Sequence, residues 1–180
     1  MGCDITLYIE YDKDSTDPFS KSKFIRILSD GEFGIRRDYR LFSALAGVRS
    51  EGKKKPKFPP RGFPKISSND LINQFYYYVL DEGEKADFDD EMTKEEAEHF
   101  VTQGLSHYRD LPAKKRGLVS EPNAHTPSWL LFPEILEALV YHGISKKDLH
   151  YKTQLVLDIL ELTENKLGNN CTRIVFWFNC

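Results

Sequence analysis

The fold is decided by residues 172–178, which read TRIVFWF. Apolar side chains fall on both faces of this stretch, which predicts a strand buried at the centre of a sheet. Near the other end of the chain, residues 4–11 read DITLYIEY, where Ile5, Leu7 and Ile9 recur at every second position. This period of two predicts a half-buried strand, and we place it beside the C-terminal strand.

The segments between these two strands alternate between helix and strand patterns. Phe24–Leu28 predicts a second strand, and the turn signal Asp30-Gly31 predicts a third strand near Phe33. Tyr76–Leu80 fits either a helix or a strand, and residues 111–128 are predicted as a loop. Apolar spacing and capping residues predict helices over 39–48, 68–75, 93–107, 133–142 and 145–167.

Together these elements predict an α+β fold with a mixed or antiparallel sheet. Its N- and C-terminal strands are central, and helices pack on it. The 180 residues are 40% hydrophobic and 29% charged, which predicts one soluble, intracellular domain over 1–180. The formal net charge of -3 argues against a nucleic acid polymer as partner. No apolar run approaches the roughly 18 residues of a membrane-spanning helix, so no membrane partner is expected.

Cysteine usage and motif content predict neither a metal nor a cofactor. Cys3, Cys171 and Cys180 have no CxxC spacing, and their odd number predicts reduced thiols in a cytosol. A Walker loop, a Rossmann fingerprint, an HExxH motif and zinc-finger spacing are all absent from the sequence.

The long Pro/Lys-rich loop over residues 50–66 holds four of the nine prolines, which prevent regular structure. Such a long loop is either functional or mobile. Basic side chains gather here and just before it: Arg36, Arg37, Arg40, Arg49 and Arg61. If Arg49 and Arg61 bracket one pocket, a phosphate or carboxylate is the natural ligand. The alternative is a solvated basic face that complements the acidic stretch 81–91.

A second cluster lies in NAHTPSWL, residues 123–130. His125 and Ser128, placed ahead of a predicted helix, can hydrogen-bond an anion or carry out acid/base chemistry, and Trp129 can stack on a base. Alternatively, Thr126 or Ser128 caps the helix and Trp129 belongs to the core.

The first strand adds two carboxylates, Asp4 and Glu10, on a face predicted to be outward. At 3.3 Å per residue they lie roughly 20 Å apart, too far for one acid/base pair. Either carboxylate could still join His125 in a site.

Five blocks of the chain resemble a family of small phage and prophage proteins: MGCDITLYIEY, RDYRLFSALAGVRS, PPRGFP, HTPSWL and RIVFWFN. In that family the opening reads MGCDIH and the end reads FWFDN. The resemblance implies a viral origin and the cytoplasm of a bacterial host, but no reaction. Thr6 and Asn179 stand where the family has His and Asp, which disfavours hydrolysis and leaves binding less affected.

The leading hypothesis is therefore a binding protein for a small anionic ligand, a nucleotide above all. As a phage anti-defence sponge it would sequester cyclic nucleotide signals, with Arg40, Arg49, Arg61, His125, Ser128 and Trp129 as ligand-binding residues. The first alternative is a phosphodiesterase or nucleotide hydrolase that uses His125 with Asp4 or Glu10. The second is a protein–protein inhibitor of a host defence enzyme, and self-association stays open.

Overall fold

The computed structural model describes residues 2–12, 24–50, 54–80, 91–104, 108–110, 117–168 and 170–179. The acidic residues 81–90 and the predicted helix end at His107 lie outside the described residues. The chain divides into two compact units, one of Met1–Ser68 with His125–Cys180 and one of Asn69–Ala124. A single domain over 1–180 stays a prediction.

The elements follow one another in a mixed α and β order. The strands are β1 (Asp4–Asp12), β2 (Phe24–Ser29), β3 (Tyr76–Leu80), β4 (Glu91–Thr93), β5 (Tyr108–Asp110), β6 (Gly117–Ser120), β7 (Ala124–Leu131) and β8 (Thr172–Asn179). The helices are α1 (Asp30–Phe33), α2 (Tyr39–Ala46), α3 (Asn69–Phe75), α4 (Lys94–Thr102), α5 (Phe132–Tyr141), a 3₁₀ helix (Lys146–Asp148) and α6 (Tyr151–Leu167).

The first unit is built on a four-stranded sheet in the order β2-β1-β8-β7. Strands β1 and β8 pair antiparallel from Asp4 opposite Asn179 to Tyr11 opposite Thr172. Every residue of Thr172–Phe178 is buried: β8 is central in the sheet, an apolar cluster covers one face, and on the other face the Phe63 ring contacts Trp177. The predicted α+β class, with the N- and C-terminal strands adjacent and central, is confirmed.

One apolar cluster joins this sheet to helices α2, α5 and α6, and it also includes Phe33 of α1. The sheet contributes alternate residues of β1 and β8, as the period of two requires. Each helix contributes the apolar stripe of its amphipathic face. The buried members include Ile5, Leu7, Ile9, Ile174, Phe176 and Phe178 of the sheet, Leu41, Phe42 and Leu45 of α2, Ile135 and Leu139 of α5, and Val156, Leu157 and Leu160 of α6.

Helix α2 has caps at both ends, which makes it predictable from its own residues. The Asp38 carboxylate accepts hydrogen bonds from the backbone N–H groups of Arg40 and Leu41. Gly47 ends the helix in the left-handed conformation at φ 74°. A Cβ there would also lie 2.8 Å from Pro56 Cδ, so glycine is required for two reasons.

The second unit contains a separate four-stranded sheet in the order β4-β3-β6-β5, which the sequence pattern did not indicate. Strand β3 pairs parallel with β4 and antiparallel with β6. Helix α4 begins at the predicted capping box of Thr93 and Glu96. The ambiguous segment Tyr76–Leu80 is a strand.

Three predictions of local structure were wrong. No third strand follows Asp30, because α1 forms instead and the Glu32 carboxylate accepts the Ser29 backbone N–H at 2.6 Å. Part of the predicted loop 111–128 forms β6 and most of β7. The capping box of Ser145 and Asp148 begins the 3₁₀ helix, and α6 begins at Tyr151. Over the described residues, no helix has the length and apolar character required to cross a membrane.

Candidate anion-binding cavity

A cavity of about 450 Å³ lies in the first unit, where α2 and the segment after it meet the turn that follows α5. This volume is in the range of small-molecule sites. Its walls combine basic, hydroxyl and aromatic side chains. Among the described residues they are Tyr39, Arg40 and Ser43 of α2, then Arg49, Ser50 and Lys54, then His142, Gly143 and Ile144.

Arg40 lies in the first turn of α2 and is held from two sides. One guanidinium nitrogen donates to the Asp148 carbonyl oxygen at 3.1 Å. Its Nε lies 3.6 Å from the carboxylate of Asp38, the residue that caps the helix. These contacts limit the conformations of a long side chain, and the carboxylates of Asp38 and Asp148 interact with its positive charge.

Arg49 lies in the tight turn after α2, with its backbone in the left-handed region at φ 56°. A non-glycine residue in this region costs on the order of 1–3 kcal/mol and persists where the surrounding structure enforces it. Such strain is concentrated at ligand clamps and active sites. The conformation therefore marks Arg49 as a candidate functional residue.

Lys54 brings a third cation from the segment that follows. Its ammonium donates to the Tyr141 carbonyl oxygen at 2.6 Å and lies 3.8 Å from the centroid of the Tyr141 ring. A cation–π contact of this kind holds the ammonium in place without neutralising it. Lys54 is thus held by a carbonyl oxygen and an aromatic ring, neither of which carries an opposite charge.

His142 closes the cavity at the end of α5. Burial lowers its pKa, the nearby charge of Lys54 lowers it further, and a hydrogen bond with the Lys55 backbone acts in the opposite sense. Because the net shift is downward from 6.5, the imidazole is neutral at neutral pH. Among the described residues, none hydrogen-bonds its buried Nε2 atom.

The cavity therefore presents the charges of Arg40, Arg49 and Lys54 together with the hydroxyls of Ser43 and Ser50. Guanidinium, ammonium and hydroxyl groups are the donors that bind phosphate and carboxylate oxygens. Arg40 and Arg49 were singled out in the sequence analysis, and the structure brings both into this one cavity.

Arg61, Ser128 and Trp129 lie together in a different cluster and do not appear among the cavity walls. Arg61 forms a bidentate pair with Glu134 at 2.8 and 2.6 Å, and its guanidinium carbon lies 4.5 Å from the Trp129 ring centroid. Ser128 is buried and accepts the Arg61 backbone N–H at 3.2 Å. These contacts fasten the Pro/Lys-rich loop to β7 and α5.

His125 lies on β7, the strand that runs directly into α5. Its ring stacks on Phe178 with centroids 5.8 Å apart, and Nε2 lies 3.8 Å from Cys3 Sγ. Burial lowers its pKa, and the charge of Arg49 adds to the effect. His125 is thus within electrostatic range of one cavity residue.

The carboxylates of Asp4 and Glu10 are both bound by arginines. Asp4 accepts two hydrogen bonds from Arg37, at 2.5 and 2.6 Å. Glu10 is fully buried and accepts from Arg173 at 3.0 and 2.6 Å. The prediction of an outward face that carries Glu10 was therefore wrong, because Arg173 stands opposite it on β8.

The cysteines differ from one another. Cys171 is free, as predicted, and it is buried, which raises the pKa of its thiol. Cys3 is disulfide-bonded, so the expectation of reduced thiols was wrong for this residue.

Sequence reasoning missed Tyr39, Ser43, Lys54 and His142 as cavity residues. Tyr39 and Ser43 could have been found from the sequence. Positions four apart on a helix share one face, and the face that these two share is not apolar. Lys54 was seen only as part of a basic composition. His142 lies nearly a hundred residues from the others, and no local pattern connects them.

Within the described segments, no group of three or more His, Cys, Asp or Glu side chains is arranged to hold a metal ion. No protein-family model, curated protein or solved structure matches this chain.

Proposed function

We propose that this protein binds a small anionic ligand, with phosphate as the anionic group, in the cavity between α2 and the end of α5. The single observation that carries the proposal is the convergence of Arg40, Arg49 and Lys54 on one cavity of about 450 Å³. Cations that face a common space repel one another, which is unfavourable in the unliganded protein. A bound anion is attracted by all three and offsets this repulsion.

The way these cations are held supports binding. Lys54 is positioned by the Tyr141 carbonyl oxygen, an uncharged acceptor, and Arg40 is positioned by the Asp148 carbonyl oxygen together with the Asp38 carboxylate. Side chains that are ordered before the ligand arrives lose less conformational entropy when it binds. The paired Arg61 differs, since a bidentate carboxylate already satisfies it.

The resemblance to phage proteins extends the proposal. In a bacterial host the ligand would be a signalling nucleotide, and the protein would act as an anti-defence sponge that holds it intact. Asp4 and Glu10, the carboxylates that a hydrolase based on His125 would use, are bound by arginines, which favours binding over hydrolysis.

The first experiment is an incubation with pooled nucleotides, cyclic nucleotides and cyclic ADP-ribose isomers. The protein is then filtered off and heated, and both fractions are analysed by mass spectrometry. Depletion from the filtrate and release of the intact compound is the expected result. A compound converted to a new mass would indicate an enzyme, and an unchanged pool would contradict the proposal.

We predict that Arg49→Ala weakens binding of the released compound tenfold or more by titration calorimetry. A hydrogen bond to a charged group contributes about 1.5–3 kcal/mol, which is roughly 10- to 150-fold in affinity.

Arg36→Ala is the matched control for this prediction. It removes one positive charge from an exposed arginine that is not among the described cavity residues. If both variants lost the same affinity for the ligand, the loss would come from the change in net charge alone. That result would contradict the assignment of the cavity as the binding site.

A further inference from the structure

We infer that Tyr39 is the stacking platform for an aromatic ring of the ligand, so that the cavity selects nucleotides over bare phosphates and sugar phosphates. This inference rests on the proposed binding of an anion in the same cavity. It names the ligand class through a residue that the sequence analysis did not consider.

The position of Tyr39 is the first observation. It is the first residue of α2, it lines the cavity, and 42% of its surface is exposed. Arg40 follows it directly, and Ser43 lies one helical turn further along. A ligand that lies on the Tyr39 ring therefore has a guanidinium and a hydroxyl close by.

The second observation is that the Tyr39 ring is held in place. It makes an edge-to-face contact with Phe42, with ring centroids 5.7 Å apart and an interplanar angle of 66°. Phe42 is fully buried and itself contacts Phe178 at 5.1 Å. The exposed ring is thus fastened to the core, and the loss of side-chain freedom on stacking is small.

The third observation concerns the aromatic residue that the sequence favoured. Trp129 has the guanidinium of Arg61 at 4.5 Å and that of Arg173 at 5.8 Å from its ring centroid. Two side chains of the protein thus compete with any base for this ring. Tyr39 lines the cavity that contains the three cations, whereas Trp129 does not.

The chemistry follows from this placement. A flat ring that stacks on tyrosine and an anionic group that binds arginine and lysine occur together in a nucleotide. A sugar phosphate or pyrophosphate offers the second feature alone. Stacking of a base on an aromatic side chain is tolerant of base identity, so more than one base is expected to bind.

The test measures the affinity of three probe types by titration calorimetry: pyrophosphate, ribose 5-phosphate, and the mononucleotides and cyclic mononucleotides of the four bases. Wild-type protein is expected to bind at least one nucleotide about tenfold or more tightly than ribose 5-phosphate, as the contribution of one stacked base requires. Tyr39→Leu should remove that preference, so that it lowers nucleotide affinity by a larger factor than pyrophosphate affinity. Tyr39→Phe should keep it.

Tyr151→Leu is the matched control, because this tyrosine is exposed on α6 and is not among the described cavity residues. If wild-type protein binds nucleotides no more tightly than ribose 5-phosphate, the inference is overturned before any variant is measured. An equal loss for all three probe types in Tyr39→Leu would also overturn it.

Failure of the inference can be distinguished from failure of the proposed function. If pyrophosphate binds and Arg49→Ala abolishes that binding, the anion site stands whatever Tyr39 does. If none of the probes binds to the wild type, the proposed function fails and the stacking role fails with it.

Discussion

Arg49 combines two properties at the scale of a single residue: a strained backbone and a charged side chain at the cavity. Its φ of 56° falls in the left-handed region, which L-residues other than glycine avoid because Cβ approaches the following carbonyl oxygen. Gly47, two residues earlier, also has a positive φ, but glycine has no Cβ and therefore avoids this penalty. Arginine at position 49 is thus less favourable for stability than glycine would be.

We predict that Arg49→Gly raises the free energy of unfolding by about 1 kcal/mol relative to Arg49→Ala, because glycine relieves the left-handed strain. Urea denaturation of both variants measures the difference. Both should lose ligand binding, since both lack the guanidinium. Restored binding in the glycine variant would contradict the role assigned to the side chain.

At the scale of elements, the pairing of β1 with β8 carries a buried ion pair between Glu10 and Arg173. Both residues are almost completely inaccessible. Glu10 also accepts the Ser68 backbone N–H at 2.8 Å, and Arg173 donates to the Ile66 carbonyl oxygen at 2.5 Å. Burial lowers the pKa of Arg173 although Glu10 acts in the opposite sense. The pair thus ties both central strands to the end of the Pro/Lys-rich loop.

We predict that Arg173→Met destabilises the protein by about 3–5 kcal/mol, because it leaves the Glu10 carboxylate buried without its charged partner. The double variant Glu10→Leu with Arg173→Met should recover much of this loss, since no uncompensated charge remains. Denaturant unfolding of the single and double variants measures the coupling.

The control is Lys146→Met, which breaks an exposed pair with Asp158. It should cost less than about 1 kcal/mol. Additive effects of the two substitutions in the buried pair would contradict the coupling.

At the scale of the whole molecule, the perturbed groups act together on the dependence of stability on pH. The pKa values of His125 and His142 are lowered by burial and by neighbouring cations. Asp4 and Glu134 also have lowered pKa values. Hydrogen bonds from Arg37 act on Asp4, and for Glu134 burial is outweighed by hydrogen bonds from Arg61 and Leu131. All four groups bind protons more readily in the unfolded chain, so stability falls on acidification.

We predict that the free energy of unfolding decreases between about pH 7.5 and about pH 5.5, as the imidazoles of the unfolded chain take up protons near pH 6.5 before those of the folded state. Denaturant unfolding at the two pH values measures the decrease. The double variant His125→Phe with His142→Phe should show a smaller decrease over the same interval. If the double variant showed the same decrease in unfolding free energy as the wild type, the lowered pKa values of His125 and His142 would be contradicted.

Local signals explain why much of the fold was predictable. The period of two in β1 and the doubly apolar β8 predicted the central strand pair, because side chains alternate faces in a strand and both faces of β8 are covered. Helix α2 was predictable because Asp38 and Gly47 cap it through contacts within a few residues. The capping box of Thr93 and Glu96 is local in the same way.

Other elements lacked such signals. Strand β7 reads AHTPSWLL, which contains a proline and little alternation, and Thr126 interrupts it with φ 52°. The burial of Glu10 was equally hidden, because its cause is Arg173, far away in sequence and directly opposite in the sheet.

The sequence by itself determined the α+β class, the central strands, the caps of α2 and the choice of arginines as candidate ligands for an anion. Tertiary structure alone decided which arginines share a cavity. It separated Arg61, by pairing it with Glu134, from Arg40 and Arg49, and it added Tyr39, Lys54 and the distant His142. The physical reason is that secondary structure depends on neighbours along the chain, whereas a binding site depends on which side chains the packing of α2 and α5 brings together.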